Sequence, residues 1–441
     1  MSTSIVTIHE ASRAENIELR EVNPSIHSNA STKSEVVEDP GEDKRKRMKG
    51  RVHYVSLCWF MFLAGWNDGT TGPLLPRMQT VYNVNYTIVS LIFVLACTGF
   101  LTGAFANIVL TPKLGFGKLM VLGSLCQVIA YTLQAPALPF PVFAIAYMIN
   151  GAGLALQDAQ ANGYVACYKH NPENKMGLLH AVYGAGALCA PLVATQFAYL
   201  PHWSFHYLVS LGLAVLNTIS LWTVFKLRTQ DECLAEIGES SGELGASQHS
   251  PLRQILSLKN VHLLASFILV YVGVEFTLGG WIVTYVIQLR GGGEKAGYIS
   301  SGFFAGLTVG RLALLWVNKL VGERRVLFFY ALFALGLEVI VWRVPSLIGG
   351  GVAVSLVGVL LGPMYPIVMN HSSRILPPWL LSGCIGWIAG FGQAGTAIFP
   401  FITGVMANSV GISSLQPLLV AMMGLMMALW AIVPSERPKL M

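Results

Sequence analysis

The sequence predicts an all-α membrane protein: twelve transmembrane helices in two pseudo-symmetric six-helix bundles. Its apolar composition, the spacing of its apolar runs about a polar centre and the sidedness of its basic residues carry that prediction. Of 441 residues, 54% are hydrophobic and 11% charged, and the mean hydropathy is +0.59. Soluble domains carry about 25% charged residues, and no soluble core absorbs this much apolar surface. A span needs about 20 apolar residues, so twelve spans with their loops nearly fill the chain. The net charge of +6 raises nucleic acid as a partner, but the basic residues cluster at the edges of the apolar runs, which points to a lipid bilayer and to no nucleic acid.

Residues 1–51 read as a disordered polar cytoplasmic tail ending in the basic run Lys44–Arg51, a membrane-edge stop rather than a nuclear-localisation patch. No secretory signal precedes the first apolar run. Helices are predicted over 52–74, 87–110, 117–135, 141–165, 176–199 and 203–227, then 261–288, 297–319, 325–343, 346–370, 381–407 and 413–433. The first six form a bundle over 52–228 and the second six a bundle over 261–434. A linker over 229–260, bearing Asp231, Glu232, Glu236, Glu239 and Glu243, separates them, and a short tail, 435–441, follows. With both termini cytoplasmic, 20 Lys and Arg lie on the inner side, against Arg77, Arg290, Lys295 and Arg343 outside, as the positive-inside rule requires. The seven cysteines form no CxxC pair and read as small buried hydrophobes, with no metal, cofactor or disulfide implied.

The halves repeat. A shift of 207 residues lays Gly103, Gly115 and Lys118 on Gly310, Gly322 and Arg325, and lays Asp68 on Glu275 and Gly72 on Gly279. Parallel repeats about an axis along the membrane normal characterise one large class of transporters.

Only Asp68, Asp158, Glu275 and Glu338, of 22 acidic residues, fall within predicted spans. A carboxylate at that depth costs several kcal/mol and normally faces a wet cavity or a partner. Asp68 follows Asn67 in a stretch rich in Gly, Thr and Pro that predicts a discontinuous helix lining a cavity, with a hydrated helix end as the alternative. Asp158 and Asn162, four apart, share a helix face suited to sugar hydroxyls. Gln157 beside them is a substrate candidate or a helix–helix contact. His180 is a candidate for hydrogen bonding to substrate or proton relay, imidazole titrating near neutrality, with a satisfied helix contact as the alternative, and Tyr183 is a substrate-binding candidate. Glu275 is the second-half acid, with Trp281 six residues on; Trp66, Trp281 and Trp387 are candidate stacking surfaces, and Gln393 a further substrate contact. Glu338 is expected to pair with Arg343 as a structural contact. Gly103, Gly115, Lys118, Gly310, Arg311, Gly322 and Arg325 are expected to gate the inner side, Arg311 by charge and capping contacts.

Across all twelve helices the chain resembles the major facilitator superfamily, whose glycine-and-cation loops are matched by Gly103 to Lys118 and Gly310 to Arg325. It departs from that pattern at Ala104, where the repeat has arginine, and at Thr111 and Asn318, where aspartate is usual. Within the superfamily it is similar to the fucose–proton symporter group and its fungal and animal hexose-transporter relatives, through Asn67-Asp68, Leu74-Leu75-Pro76, Asp158 and Asn162. The resemblance implies that the first-helix acid contacts sugar and the fourth-helix acid takes the proton. Asp158 is shorter than the group's glutamate, and His180 replaces its substrate-contacting glutamine.

The expected activity is therefore secondary active transport, with a sugar or polyol symported with protons at Asp158 and Asp68 by rocking of two halves about a central site. Sodium coupling, efflux of drugs or metabolites by antiport, and a sugar sensor that moves nothing fit the same pattern. No nucleophile elbow, P-loop, HExxH or dinucleotide fingerprint suggests an enzyme. A monomer suffices, the plasma membrane is the expected location, and Asn85-Tyr86-Thr87 matches a glycosylation site too close to the second helix for good use.

Overall fold

The computed structural model describes residues 40–239 and 252–435, so the predicted disorder of 1–39, the linker segment 240–251 and the tail from 436 onward lie outside the described residues. The chain divides into a short unit, residues 1–43, and a compact unit, residues 44–441. The helices before the linker are α1 (Pro40–Tyr82), α2 (Tyr86–Leu114), α3 (Phe116–Gln134), α4 (Phe140–Ala166), α5 (Pro172–Ala198) and α6 (His206–Phe225). Short helices α7 (Gln230–Ala235) and α8 (Leu252–Ser257) lie in the linker. After it come α9 (Lys259–Leu289), α10 (Tyr298–Ala313), α11 (Leu315–Val321), α12 (Glu323–Arg343), α13 (Leu347–Leu361), α14 (Met364–Ile375), α15 (Leu381–Val410) and α16 (Leu415–Ile432).

Each predicted span coincides with helix, but two are divided. The eighth bends by 53° between α10 and α11. The tenth breaks between α13 and α14 at Gly362-Pro363, where proline removes a backbone donor and crowds the preceding turn. Among the described residues, ten helical segments are long and apolar enough to cross a membrane, and the bent pair makes eleven. α1 is outside that set because Asn67, Asp68 and the Gly, Thr and Pro after them dilute its hydropathy. A twelve-span arrangement is compatible with this inventory.

Two expectations for α1 are corrected. Residues 40–51 are helical rather than disordered, because they extend an already nucleated span and gain partners: Lys49 Nζ meets Glu236 Oε1 at 3.3 Å and Tyr168 donates to Gly50 O at 3.2 Å. The helix is also unbroken through Gly65–Pro76. Its glycines admit neighbouring backbone instead: a Cβ on Gly65 would meet Tyr183 O, on Gly69 Ala187 O, and on Gly72 Gly279 O.

The repeat holds in the packing. α2 lies on α4 with Gly99 against Met148 O, Gly103 against Ala152 O and Gly151 against Ala96 O; α10 lies on α13 with Gly306 against Ser355 O, Gly310 against Val359 O and Gly358 against Phe303 O. Every contact maps onto its counterpart by the 207-residue shift. Gly115 and Gly322 end their helices at φ 76° and 88°, with their N–H groups donating to Thr111 O and Asn318 O, again 207 apart. These two positions need glycine because a side chain is strained at positive φ.

Contacts between the halves gather at the end away from the linker. Tyr86 donates to Gln288, Gln196 to Tyr298, and Tyr199 to Gly293 O, while Trp281 packs on Tyr86 and Phe93. The linker itself binds the first half: Thr229 and Glu232 form a capping box on α7, and Glu236 meets Arg228 at 2.5 Å. The hydrogen bond from Arg228 holds the Glu236 carboxyl below the usual glutamate range.

Candidate functional site

The chemistry-bearing residues meet in a central cavity of about 270 Å³ walled by both halves. Each principal helix contributes one stripe at helical spacing: Phe60, Ala64, Asn67, Asp68 and Thr71 on α1; Tyr147, Asn150, Gly151, Leu154 and Asp158 on α4; Val272, Glu275, Phe276, Gly279 and Gly280 on α9. α2 adds an apolar stripe from Ile92 to Phe100, and Tyr183 of α5, Phe304 of α10, Tyr365 of α14 and Gln393 of α15 also line it. The repeat-equivalent acids Asp68 and Glu275 therefore face one space.

Asp68 is held on both oxygens. Tyr183 OH donates to Oδ2 at 2.5 Å, and Asn67 Nδ2 donates to Oδ1 at 3.1 Å. Asn67 Oδ1 in turn accepts from Asn150 Nδ2 and from Tyr131 OH at 3.5 Å. Asp158 lies about 12 Å from Asn150 along α4 at 1.5 Å per residue, nearer the linker end. Asn162 Nδ2 donates to its Oδ1 at 3.0 Å. The two first-half acids thus stand at separate levels.

Several predicted site residues lie elsewhere. Gln157 is fully buried and donates to Met120 O at 2.9 Å, because one residue from Asp158 is about 100° around the helix, toward α3. Asn162 supports Asp158 without lining the cavity, and His180 is exposed one turn from Tyr183, also outside the lining. Trp281 is buried at the closure, donating to Pro400 O at 3.0 Å; Trp66 donates to Ser210 at 2.9 Å and stacks on His206; Trp387 is half-buried outside the cavity. Phenylalanine and tyrosine replace these tryptophans as the aromatic wall.

Arg311, expected to gate by charge and capping contacts, has its Nη2 3.8 Å from Glu275 Oε1, beside the cavity. Lys118 and Arg325 are exposed at the linker end, outside any ion pair among the described residues. Gly103 and Gly310 act in helix packing. Glu338 is fully buried with neither carboxyl oxygen hydrogen-bonded, whereas Arg343 is exposed and lies over Trp342 at 4.7 Å. The expected Glu338–Arg343 pair is absent because the two side chains leave α12 on different faces. Asn85 caps α2, its Oδ1 accepting from Ile88 N at 2.8 Å.

Asn150, Tyr147 and Thr71 were missed as site residues. Tyr147, Asn150, Gly151, Leu154 and Asp158 follow the i, i+3, i+4, i+7 stripe, so reading backward from Asp158 along one face of α4 would have found Asn150 and Tyr147, and reading forward by three from Asp68 on α1 would have found Thr71.

Residues 57–378 match the Major Facilitator Superfamily. The chain belongs to this superfamily. It is accordingly a multi-pass membrane transporter rather than an enzyme. Bypass of stop codon protein 6 of Saccharomyces cerevisiae is 26% identical over 408 residues, covering 86% of this chain and 82% of that protein. The glucose/mannose transporter GlcP of Bacillus subtilis is 20% identical over 351 residues, covering 79% and 86%. The superfamily fold is shared with a D-xylose–proton symporter (TM-score 0.70, 13% identity, 87% and 98% covered) and with FucP in its outward conformation (0.58, 18%, 86% and 98%).

Proposed function

We propose that this transporter moves a monosaccharide or similar polyol together with protons across the plasma membrane, with both termini cytoplasmic. The observation that carries the reading is the cavity wall: Asp68, Asp158 and Glu275 with amides and hydroxyls, and among the described residues no Lys, Arg or His in the lining. Such a wall repels phosphorylated or acidic solutes and accepts from hydroxyl donors. Its volume, near the lower end of the roughly 300–1,000 Å³ typical of small-molecule sites, suits one sugar ring. The relatives named for glucose and mannose and the symporters named for xylose and fucose support the same substrate class and proton coupling.

Asp68 is engaged by two donors and serves as a hydroxyl acceptor. Asp158, with one amide beside it and closer to the open end, is the proton carrier. Neutralising Asp158 removes the cost of moving a charge through the reorienting cavity. With the linker cytoplasmic, the closed end is external and this conformation faces inward. In the cycle the two halves rock about the cavity while their internal glycine contacts persist.

The test is uptake of labelled hexoses into proteoliposomes with and without an inward proton gradient, in the parent protein and in Asp158→Asn. Gradient-driven accumulation that the variant loses, while counterflow exchange persists, is the expected result. Sugar uptake indifferent to the gradient sinks the coupling, and movement of apolar drugs without sugar favours efflux.

A further inference from the structure

We infer that Asn150 is a specificity-determining residue whose Oδ1 accepts one hydroxyl of the transported sugar, its orientation dictated by Asp68 through Asn67. The inference rests on the sugar-symport reading above.

A chain of side chains with a fixed direction is the first ground. An ionised carboxylate only accepts. Asp68 accepts from Asn67 Nδ2 at 3.1 Å, so the other end of that amide, Oδ1, must accept in turn. It does so from Asn150 Nδ2 and from Tyr131 OH at 3.5 Å. Asn150 is therefore committed to donating with its nitrogen, and Oδ1 is left as an acceptor. That atom has no hydrogen-bond partner and is itself covered in this conformation, the residue being 1% exposed, while Asn150 belongs to the cavity wall between Tyr147 and Gly151, so a hydroxyl reaches Oδ1 when the wall yields to the bound sugar. A buried amide oxygen without a partner is costly, on a scale comparable to a lost hydrogen bond, and native structures seldom retain one. A donor arriving from the cavity is the missing partner, and the donors of a sugar are its hydroxyls.

The second ground is the repeat. Were the Asn67–Asn150 amide pair merely holding α1 to α4, the second half, which packs its helices with the same register, would need something similar. At the positions 207 residues on it has Val274 and Val357, both fully buried in the apolar core. The fold is thus satisfied by valine at this place, and the amides of the first half are free to serve the ligand.

The experiment pairs a protein change with a ligand change. Asn150→Val installs the residue that the second half uses. Binding to purified parent protein and variant is measured for D-glucose and for its 1-, 2-, 3-, 4- and 6-deoxy derivatives, with thermal melting as the check on folding and Asn150→Ala as a second variant. In the parent protein, one deoxy derivative is expected to bind on the order of tenfold more weakly than D-glucose, since a site built around a hydroxyl rejects the analogue lacking it. In both variants D-glucose should fall to the level of that derivative, and the difference between the two should vanish, with the other hydroxyls keeping their effects. A uniform loss across all six sugars overturns the inference and returns Asn150 to a structural role, as does unchanged binding. If folded parent protein binds and transports no sugar at all, the symport reading itself fails; sugar transport without the position-specific coupling leaves that reading standing and removes only the role of Asn150.

Discussion

Adding one methyl group at Gly72 should tilt the transport cycle. Gly72 and Gly279 are repeat equivalents that face each other where the two halves close, and a Cβ on Gly72 would sit inside van der Waals contact of Gly279 O, with Ser300 Oγ 3.6 Å away. The obstructing atom is backbone, so it cannot rotate aside; the halves must part. Overpacking of this kind costs about 1–3 kcal/mol. Because the clash belongs to this conformation alone, that cost acts on the equilibrium between conformations, a roughly 5- to 150-fold shift away from the state closed at this end. Spin labels at the exposed positions Val81 and Lys295, in a cysteine-free background, would report the separation of the halves at the closed end by double electron–electron resonance. The long-distance population should grow in Gly72→Ala. Gly163→Ala is the control, since nothing lies within 4 Å of its added Cβ. Identical distance distributions in Gly72→Ala, Gly163→Ala and the parent would refute the argument that this glycine contact closes the cavity.

Other consequences follow from the same contacts. Tyr183→Phe deletes the 2.5 Å donor to Asp68, and hydrogen bonds to charged groups are worth about 1.5–3 kcal/mol, so sugar affinity should drop at least roughly tenfold while gradient dependence survives; unchanged affinity would show that Asp68 does not need this donor. Glu338→Gln should leave melting temperature equal or higher and transport intact, because the parent carboxyl is buried without a hydrogen bond; a fall of many degrees would reveal a partner. At the linker, Glu236 has a folded-state pKa below its unfolded value, so its pairing with Arg228 contributes above the unfolded pKa, near 4.3, and is lost as pH falls through the folded one. Hydrogen exchange at α7 should therefore quicken in that acid range and with added salt, and Glu236→Gln should show the faster exchange already at neutral pH.

The residues themselves determined the class of the protein, the places of its helices and its internal repeat, because a membrane span must be long, apolar and hydrogen-bonded within itself. The acids also announced themselves: Asp68, Asp158 and Glu275 are costly in lipid, and all three line the cavity. Rotation of each helix was not legible. A helix apolar on every side carries no amphipathic signal to say which face is inward, so Gln157 and Trp281, polar and aromatic neighbours of the site in sequence, could not be told from residues of the wall. Tertiary packing decided that. Glycine-to-backbone contacts set the rotation of α1, α2 and α4, turning Asn150 to the cavity and Gln157 to Met120, and the same contacts kept α1 whole where its glycines and prolines had suggested a break. The pairing of Arg311 with Glu275, rather than with a loop, likewise depends on how α10 lies against α9, which no spacing along one chain segment contains.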